Sequence, residues 1–118
     1  MKANALFAVL MISIGLFACR SERSPGEVLS EKEMVKVLIE IYMAEARVME
    51  MHVDRDSAER VFQAYEQRIY QKLNIPEEDY KRSYQYYLEN SSKLEKIYTA
   101  VVDSLSLREQ RQTPATER

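Results

Sequence analysis

Apolar residues recur along this chain with two different spacings. From Ala5 to Ala18 they form a nearly unbroken run (ALFAVLMISIGLFA), interrupted only by Ser13 and Gly15. From Met34 onward they return every three or four positions, the period of helices that are apolar on one face. The second pattern begins with clear start signals. Ser30 and Glu33 have the spacing of a capping box, and Leu29 and Met34 occupy the two positions of a hydrophobic staple. A first helix is predicted from there to about Val53. Its apolar arc is wide, taking in Met34, Val37, Leu38, Ile41, Tyr42, Ala44, Val48 and Met49, with Lys36, Glu40, Arg47 and Glu50 opposite. Such an arc calls for neighbouring helices on two or three sides.

The phase breaks between Val53 and Asp56. Asp56 and Glu59 repeat the acidic form of a cap, which predicts a second helix over residues 57–73 with Ala58, Val61, Phe62, Tyr65, Ile69 and Leu73 inward. Neither Gly nor Pro marks this junction, so two separate helices and one kinked helix both fit. Asn74 suits a left-handed closing position, and Pro76 suits a helix opening. A third helix follows over about residues 77–89, with Tyr80, Tyr84, Tyr87 and Leu88 on one face. Ser92 and Glu95 open a fourth, which presents Leu94, Ile97, Tyr98, Val101, Val102 and Leu105. Tyr70 and Tyr86 fall off these stripes and read as surface residues. The expected fold class is all-α, a small bundle of about four helices with short antiparallel connections, the last two helices shorter than the first. Residues 30–108 form the domain, and residues 109–118 (EQRQTPATER) read as a disordered tail. With only 2 Gly and 3 Pro in 118 residues, the chain lacks the frequent turn signals of a β-sandwich.

The first apolar run has another meaning. Met1-Lys2 supplies a positive start, and the run is the length of a signal-peptide core, shorter than the roughly 20 residues that span a bilayer. It ends in Leu16-Phe17-Ala18-Cys19, which resembles the bacterial lipobox, and Cys19 is the 1 cysteine of the chain. The chemistry accounts for the pattern. The thiol takes a diacylglyceryl group, a peptidase cuts after the small Ala18, and the freed amine of Cys19 accepts a further acyl chain such as palmitate. Residues 1–18 are therefore read as a cleaved signal peptide. Residues 19–29 are read as the lipidated cysteine and its linker, which reaches about 33 Å at most over ten extended residues. Cys19 holds the domain to a membrane by its lipid anchor, and no thiol is left for a disulfide.

Charge narrows the function further. Of 17 Lys and Arg, Lys2 leaves with the signal, and 16 basic residues then face 19 acidic ones, a net charge of −3. The charges are interspersed, which argues against nucleic-acid binding. No G-x-S-x-G, H-E-x-x-H or phosphate-cradling glycine loop occurs, and the expectation is a protein that is not an enzyme and takes no cofactor or metal. One polar group stands out. Glu45 projects into the middle of the first helix's apolar arc, with the chain's single His, His52, in nearly the same direction. A carboxylate buried there needs a partner. Tyr87 and Tyr98 are the first candidates, so Glu45, His52, Tyr87 and Tyr98 form the expected buried polar site.

The order of these elements resembles a known family. A lipobox and short linker precede Val28-Leu29-Ser30-Glu31-x-x-Met34-Val35-x-x-Leu38 and Ala44-Glu45-Ala46. Tyr65, Asn74-Ile75, Tyr80-x-x-Ser83-x-x-Tyr86-Tyr87 and Leu94-x-x-Ile97-Tyr98 follow. Together these are similar to lipoproteins of Bacteroidota grouped as domain of unknown function 4296, over about residues 25 to 107. Asn74 and Pro76 depart from that pattern, where a Gly-type turn residue and a capping Ser or Thr are usual. The resemblance implies an exported helical lipoprotein with no assigned activity. Arg20-Ser21-Glu22-Arg23 lacks the acidic run that directs lipoproteins of that phylum to the cell surface, so the expected location is the outer membrane, facing the periplasm. The expected function is a non-enzymatic interaction or accessory module in a cell-envelope complex, with a protein partner. The alternative is a carrier or sensor of a small apolar or lipid-like ligand held between the helices.

Overall fold

A computed structural model describes residues 27–112 of the chain. The signal peptide, the Ala18–Cys19 cleavage site, the linker up to residue 26 and residues 113–118 lie outside the described residues. Within them the fold is all-α, with four helices: α1 (Glu31–Glu50), α2 (Arg55–Leu73), α3 (Glu77–Leu88) and α4 (Ser91–Gln112).

Local chemistry sets most of the ends. Ser30 caps α1 with the full reciprocal box: its hydroxyl accepts from the Glu33 amide at 3.2 Å, and the Glu33 carboxylate accepts from the Ser30 amide at 2.8 Å. Leu29 and Met34, the staple pair, are both fully buried. The α1–α2 junction is a true break. Met51 closes α1 in a right-handed conformation, and His52 then turns left-handed at φ 51°. His is one of the few residue types that enters this region with some frequency, so it ends the helix where no Gly is present. Its Nδ1 lies 2.7 Å from the Glu50 carbonyl. The cap of α2 is Asp54, not Asp56. Its carboxylate accepts from the amide (3.0 Å) and the hydroxyl (2.7 Å) of Ser57, and these bonds hold it below its ordinary carboxylate value. α2 closes at Asn74 in the left-handed conformation, φ 53°, and Pro76 precedes the first turn of α3.

The left-handed geometry at Asn74 sets up a direct test. Asn74→Gly should leave stability unchanged or slightly raised. Asn74→Val, which brings a β-branched side chain into the same conformation, should lower it by about 1–2 kcal/mol. Paired thermal melts followed by circular dichroism would check this; equal melts for Gly and Val would contradict the assigned turn.

Both ends of α4 also differ from the sequence reading. α4 begins at Ser91, one residue ahead of the expected Ser92 cap, with the Asn90 carbonyl accepting from Lys93 and Leu94. It then continues to Gln112, four residues into the stretch read as tail, and at 22 residues it is longer than the 20-residue α1. The 12-residue α3 is the only short helix among the described residues.

The arrangement centres on α1. α2 runs back along it: Arg55 and Phe62 meet Val48 and Met49, and Lys72 pairs with Glu40 at 3.2 Å. α4 runs alongside α1 in the same direction, since Lys93 lies in the field of Glu31 while Arg108 donates to the Met43 sulfur at 2.9 Å. The expected antiparallel connection therefore holds for α1 and α2, while α1 and α4, which are not joined directly, run parallel. The short α3 makes the difference, because it returns the chain to the end where α1 began, with Tyr80 near Tyr70 and Tyr42 and Tyr87 at Leu29. The core is built from Leu29, Met34, Val37, Leu38, Tyr70, Ile75, Tyr87, Ile97 and Val101. Tyr70, read as a surface residue, is buried. Its ring tilts against Tyr80 at 5.7 Å, and its hydroxyl donates to Glu66 at 2.8 Å.

Candidate functional site

The four residues expected to form a buried polar site do not meet. Tyr87 is buried, and its hydroxyl donates to the Leu29 carbonyl at 2.7 Å. Tyr98 shares a 2.9 Å hydrogen bond with Tyr84. His52 is exposed at the α1–α2 turn. Glu45 is exposed too, in an open crevice of about 310 Å³ between α1 and α2 that is lined also by Met49, Arg55, Glu59 and Phe62.

The exposure of Glu45 has a simple cause. Leu38, Tyr42, Glu45 and Met49 follow one stripe of α1 at helical spacing. Along that stripe the exposure climbs from 3% at Leu38 through 36% at Tyr42 to 75% at Met49. The face was assigned correctly, but the helix opposite it stops. α3 is about 18 Å long and α1 about 30 Å, at 1.5 Å per residue, so the upper turns of α1 have no neighbour on that side. The other two long helices show the same gradient. On α2 it runs from Tyr70, 4% exposed, to the exposed Glu59. On α4 it runs from the half-buried Leu94 and Tyr98 to Val102, 59% exposed. The result is a bundle closed by four helices at one end and open on its fourth side at the other.

Tyrosines line the boundary between the two halves. Tyr80 and Tyr84 of α3 stack at a tilt, 6.0 Å between ring centres, and the Tyr80 hydroxyl lies in the field of Glu66, Tyr42 and Tyr98. Burial pushes the phenols of Tyr70 and Tyr80 well above their ordinary value, and the bond to Tyr98 does the same for Tyr84. All three stay protonated near neutral pH, so they act as hydrogen-bond donors and packing groups, not as bases.

Sequence reasoning missed Ser83, the fully buried polar residue on α3. It accepts from the Leu29 amide at 2.8 Å and donates to the Asp79 carbonyl. The signal for it was present, because Ser83 sits on the same helical stripe as Tyr80, Tyr84 and Tyr87. An exposed Glu45 also changes what its substitution should do. Glu45→Gln, Glu45→Ala and Glu45→Leu should all stay within about 0.5 kcal/mol of the parent, the usual range for surface sites. Urea unfolding would check this, and a loss above that range for Glu45→Ala would return the residue to the interior.

Among the described residues no group of three or more His, Cys, Asp or Glu is placed to hold a metal ion, and no helix is long and apolar enough to cross a membrane. What these residues define is a small all-helical domain whose outstanding surface feature is an unpartnered apolar face. Residues 25–111 match the family described as Domain of unknown function (DUF4296), and the chain belongs to that family. No curated protein and no solved structure matches it.

Proposed function

We propose that the chain is a bacterial lipoprotein, held to an envelope membrane through Cys19, whose helical domain works as a non-enzymatic interaction module in an envelope complex. The lipobox and the linker support the tether. The observation that carries the module reading is the open end of the bundle. Met49 and the α1–α2 turn residues Met51 and Val53 are exposed apolar groups, far along α1 from Leu29, where the linker joins. Apolar surface held away from the anchor suits contact with another protein. The space between the helices at the closed end is filled by Leu29, Met34, Val37, Ile97 and Val101, each at most 1% exposed. A filled core favours the module over a carrier of a small apolar ligand. A Bacteroidota outer membrane with the domain in the periplasm is the location that best fits the lipobox and the residues after it.

Site-specific photocrosslinking in cells tests the reading. A crosslinker at an exposed position of the open end should give discrete protein adducts. Native mass spectrometry of the purified chain should show no mass beyond its own acyl groups. A reproducible extra lipid-like mass without protein adducts would favour the carrier instead.

A further inference from the structure

We infer that Met49 and Met51 form an oxidant-sensitive modification site: oxygen transfer from a peroxide converts both to methionine sulfoxide and releases the protein bound at the α1–α2 turn. The inference rests on the interaction-module reading and names how that contact is regulated.

With Cys19 lipidated, the mature chain has no free thiol, since that residue is the 1 cysteine. A cell envelope is an oxidising compartment, outside the thiol buffers of the cytosol. Oxidants that reach the domain there meet methionine sulfur, and among the described residues the methionines are Met34, Met43, Met49 and Met51. Their surroundings differ. Met34 is fully buried in the core. Met43 is half-buried against that core, and its sulfur accepts from the Arg108 guanidinium at 2.9 Å. That bond engages the lone pair that oxidation needs. Met49 is 75% exposed and Met51 is 44% exposed. Susceptibility follows exposure, so Met49 and Met51 react first and Met34 last.

The step balances with a peroxide as the only co-reactant. A sulfur lone pair attacks one peroxide oxygen, the O–O bond breaks and an S–O bond forms. The sulfur-bound oxygen passes its proton to the departing hydroxide, which leaves as water. Sulfur is oxidised and the peroxide is reduced. Each side chain changes from a flexible apolar group into a polar, chiral one, and methionine sulfoxide reductases reverse the change. The fold is insensitive to it at these positions, because neither side chain belongs to the core. The contact surface is not. Met49 lies in the α1–α2 crevice with Ala58 and Phe62, and Met51 and Val53 stand in the turn that follows. Of the exposed apolar groups Met49, Met51 and Val53, oxidation leaves only Val53 apolar. A protein seated on them then has to desolvate two sulfoxide oxygens, which costs affinity.

The test treats the full chain, purified from membranes into nanodiscs, with hydrogen peroxide. Peptide mass spectrometry over time should show oxygen added at Met49 and Met51 at least about tenfold faster than at Met34 and Met43. The thermal melt of that early product should be unchanged. In parallel, membranes from cells carrying a photocrosslinker at Val53 are irradiated with and without peroxide. Protein adducts should fall by about tenfold or more after peroxide and return after treatment with methionine sulfoxide reductases and a thiol reductant. M49L and M51L together keep the surface apolar without sulfur, so that variant should form adducts under both conditions. The inference is overturned, while the interaction module stands, by any of four results: Met34 or Met43 oxidising as fast as Met49; adducts that survive full oxidation of Met49 and Met51; an equal loss of adducts in the M49L and M51L variant; or adducts that arise only from another face. Absence of adducts from every face before peroxide brings down the module reading, and the oxidation switch falls with it.

Discussion

Leu29→Ala is expected to destabilise the domain by about 2–5 kcal/mol, the range for removing a large aliphatic side chain from a site that cannot collapse. Leu29 is fully buried although it precedes the first helix, and it is fixed on three sides. Its side chain joins the core with Met34, its amide donates to Ser83, and its carbonyl accepts from Tyr87. α3 thus clasps the segment that leads into α1. Two further substitutions separate the contributions. Ser83→Ala orphans a buried amide and should cost about 1–3 kcal/mol; Tyr87→Phe removes one donor from a carbonyl and should cost less, about 1 kcal/mol. A domain of this size has roughly 4–13 kcal/mol in total, so Leu29→Ala consumes a large part of it. Denaturant unfolding of the three variants checks the order. A Leu29→Ala loss below that of Tyr87→Phe would mean that the clasp does not hold the core.

The second large effect concerns the membrane. Cys19→Ala should abolish incorporation of labelled palmitate and leave unprocessed precursor or a protein in the wrong fraction. In the proposed lipoprotein the Cys19 thiol would receive the diacylglyceryl group, and the sequence has no second cysteine to substitute for it. The anchor's strength explains the size of the change. Each buried methylene contributes about 0.8 kcal/mol, one chain binds marginally, and two or more hold stably. Without the acyl chains the mature domain has no comparable hold. Metabolic labelling and membrane fractionation decide the matter. A Cys19→Ala variant that is processed, keeps its label and stays with the membranes would overturn the lipoprotein proposal.

Much of the fold was legible in the sequence because much of it is local. The Ser30–Glu33 box, the left-handed Asn74, the Pro76 opening and the three-and-four spacing of apolar residues depend on neighbours within a turn or two, and each stands in the structure as read. The ends that differed, at His52, Asp54 and Gln112, lack a unique local signal. His52 takes a conformation usually given to Gly, and Asp54 and Asp56 offer the same capping chemistry two residues apart.

The candidate site was less legible, for a geometric reason. Sequence period gives the direction a residue takes about its own helix axis. It therefore identified the face of α1 that contains Glu45. Burial depends on whether a neighbour extends far enough to cover that face, and the neighbour here is α3, which ends too soon. The same non-local fact brings Tyr70 inside against Tyr80, carries Ser83 and Tyr87 to Leu29 across 54 and 58 residues of sequence, and leaves Met49 in solvent. The sequence by itself determined that four amphipathic helices form, where α1 and α3 begin, and which side of each is apolar. Only the tertiary structure decided that three of those apolar sides outrun the fourth helix, because the relative length and crossing of packed helices are set by contacts between residues far apart in the chain.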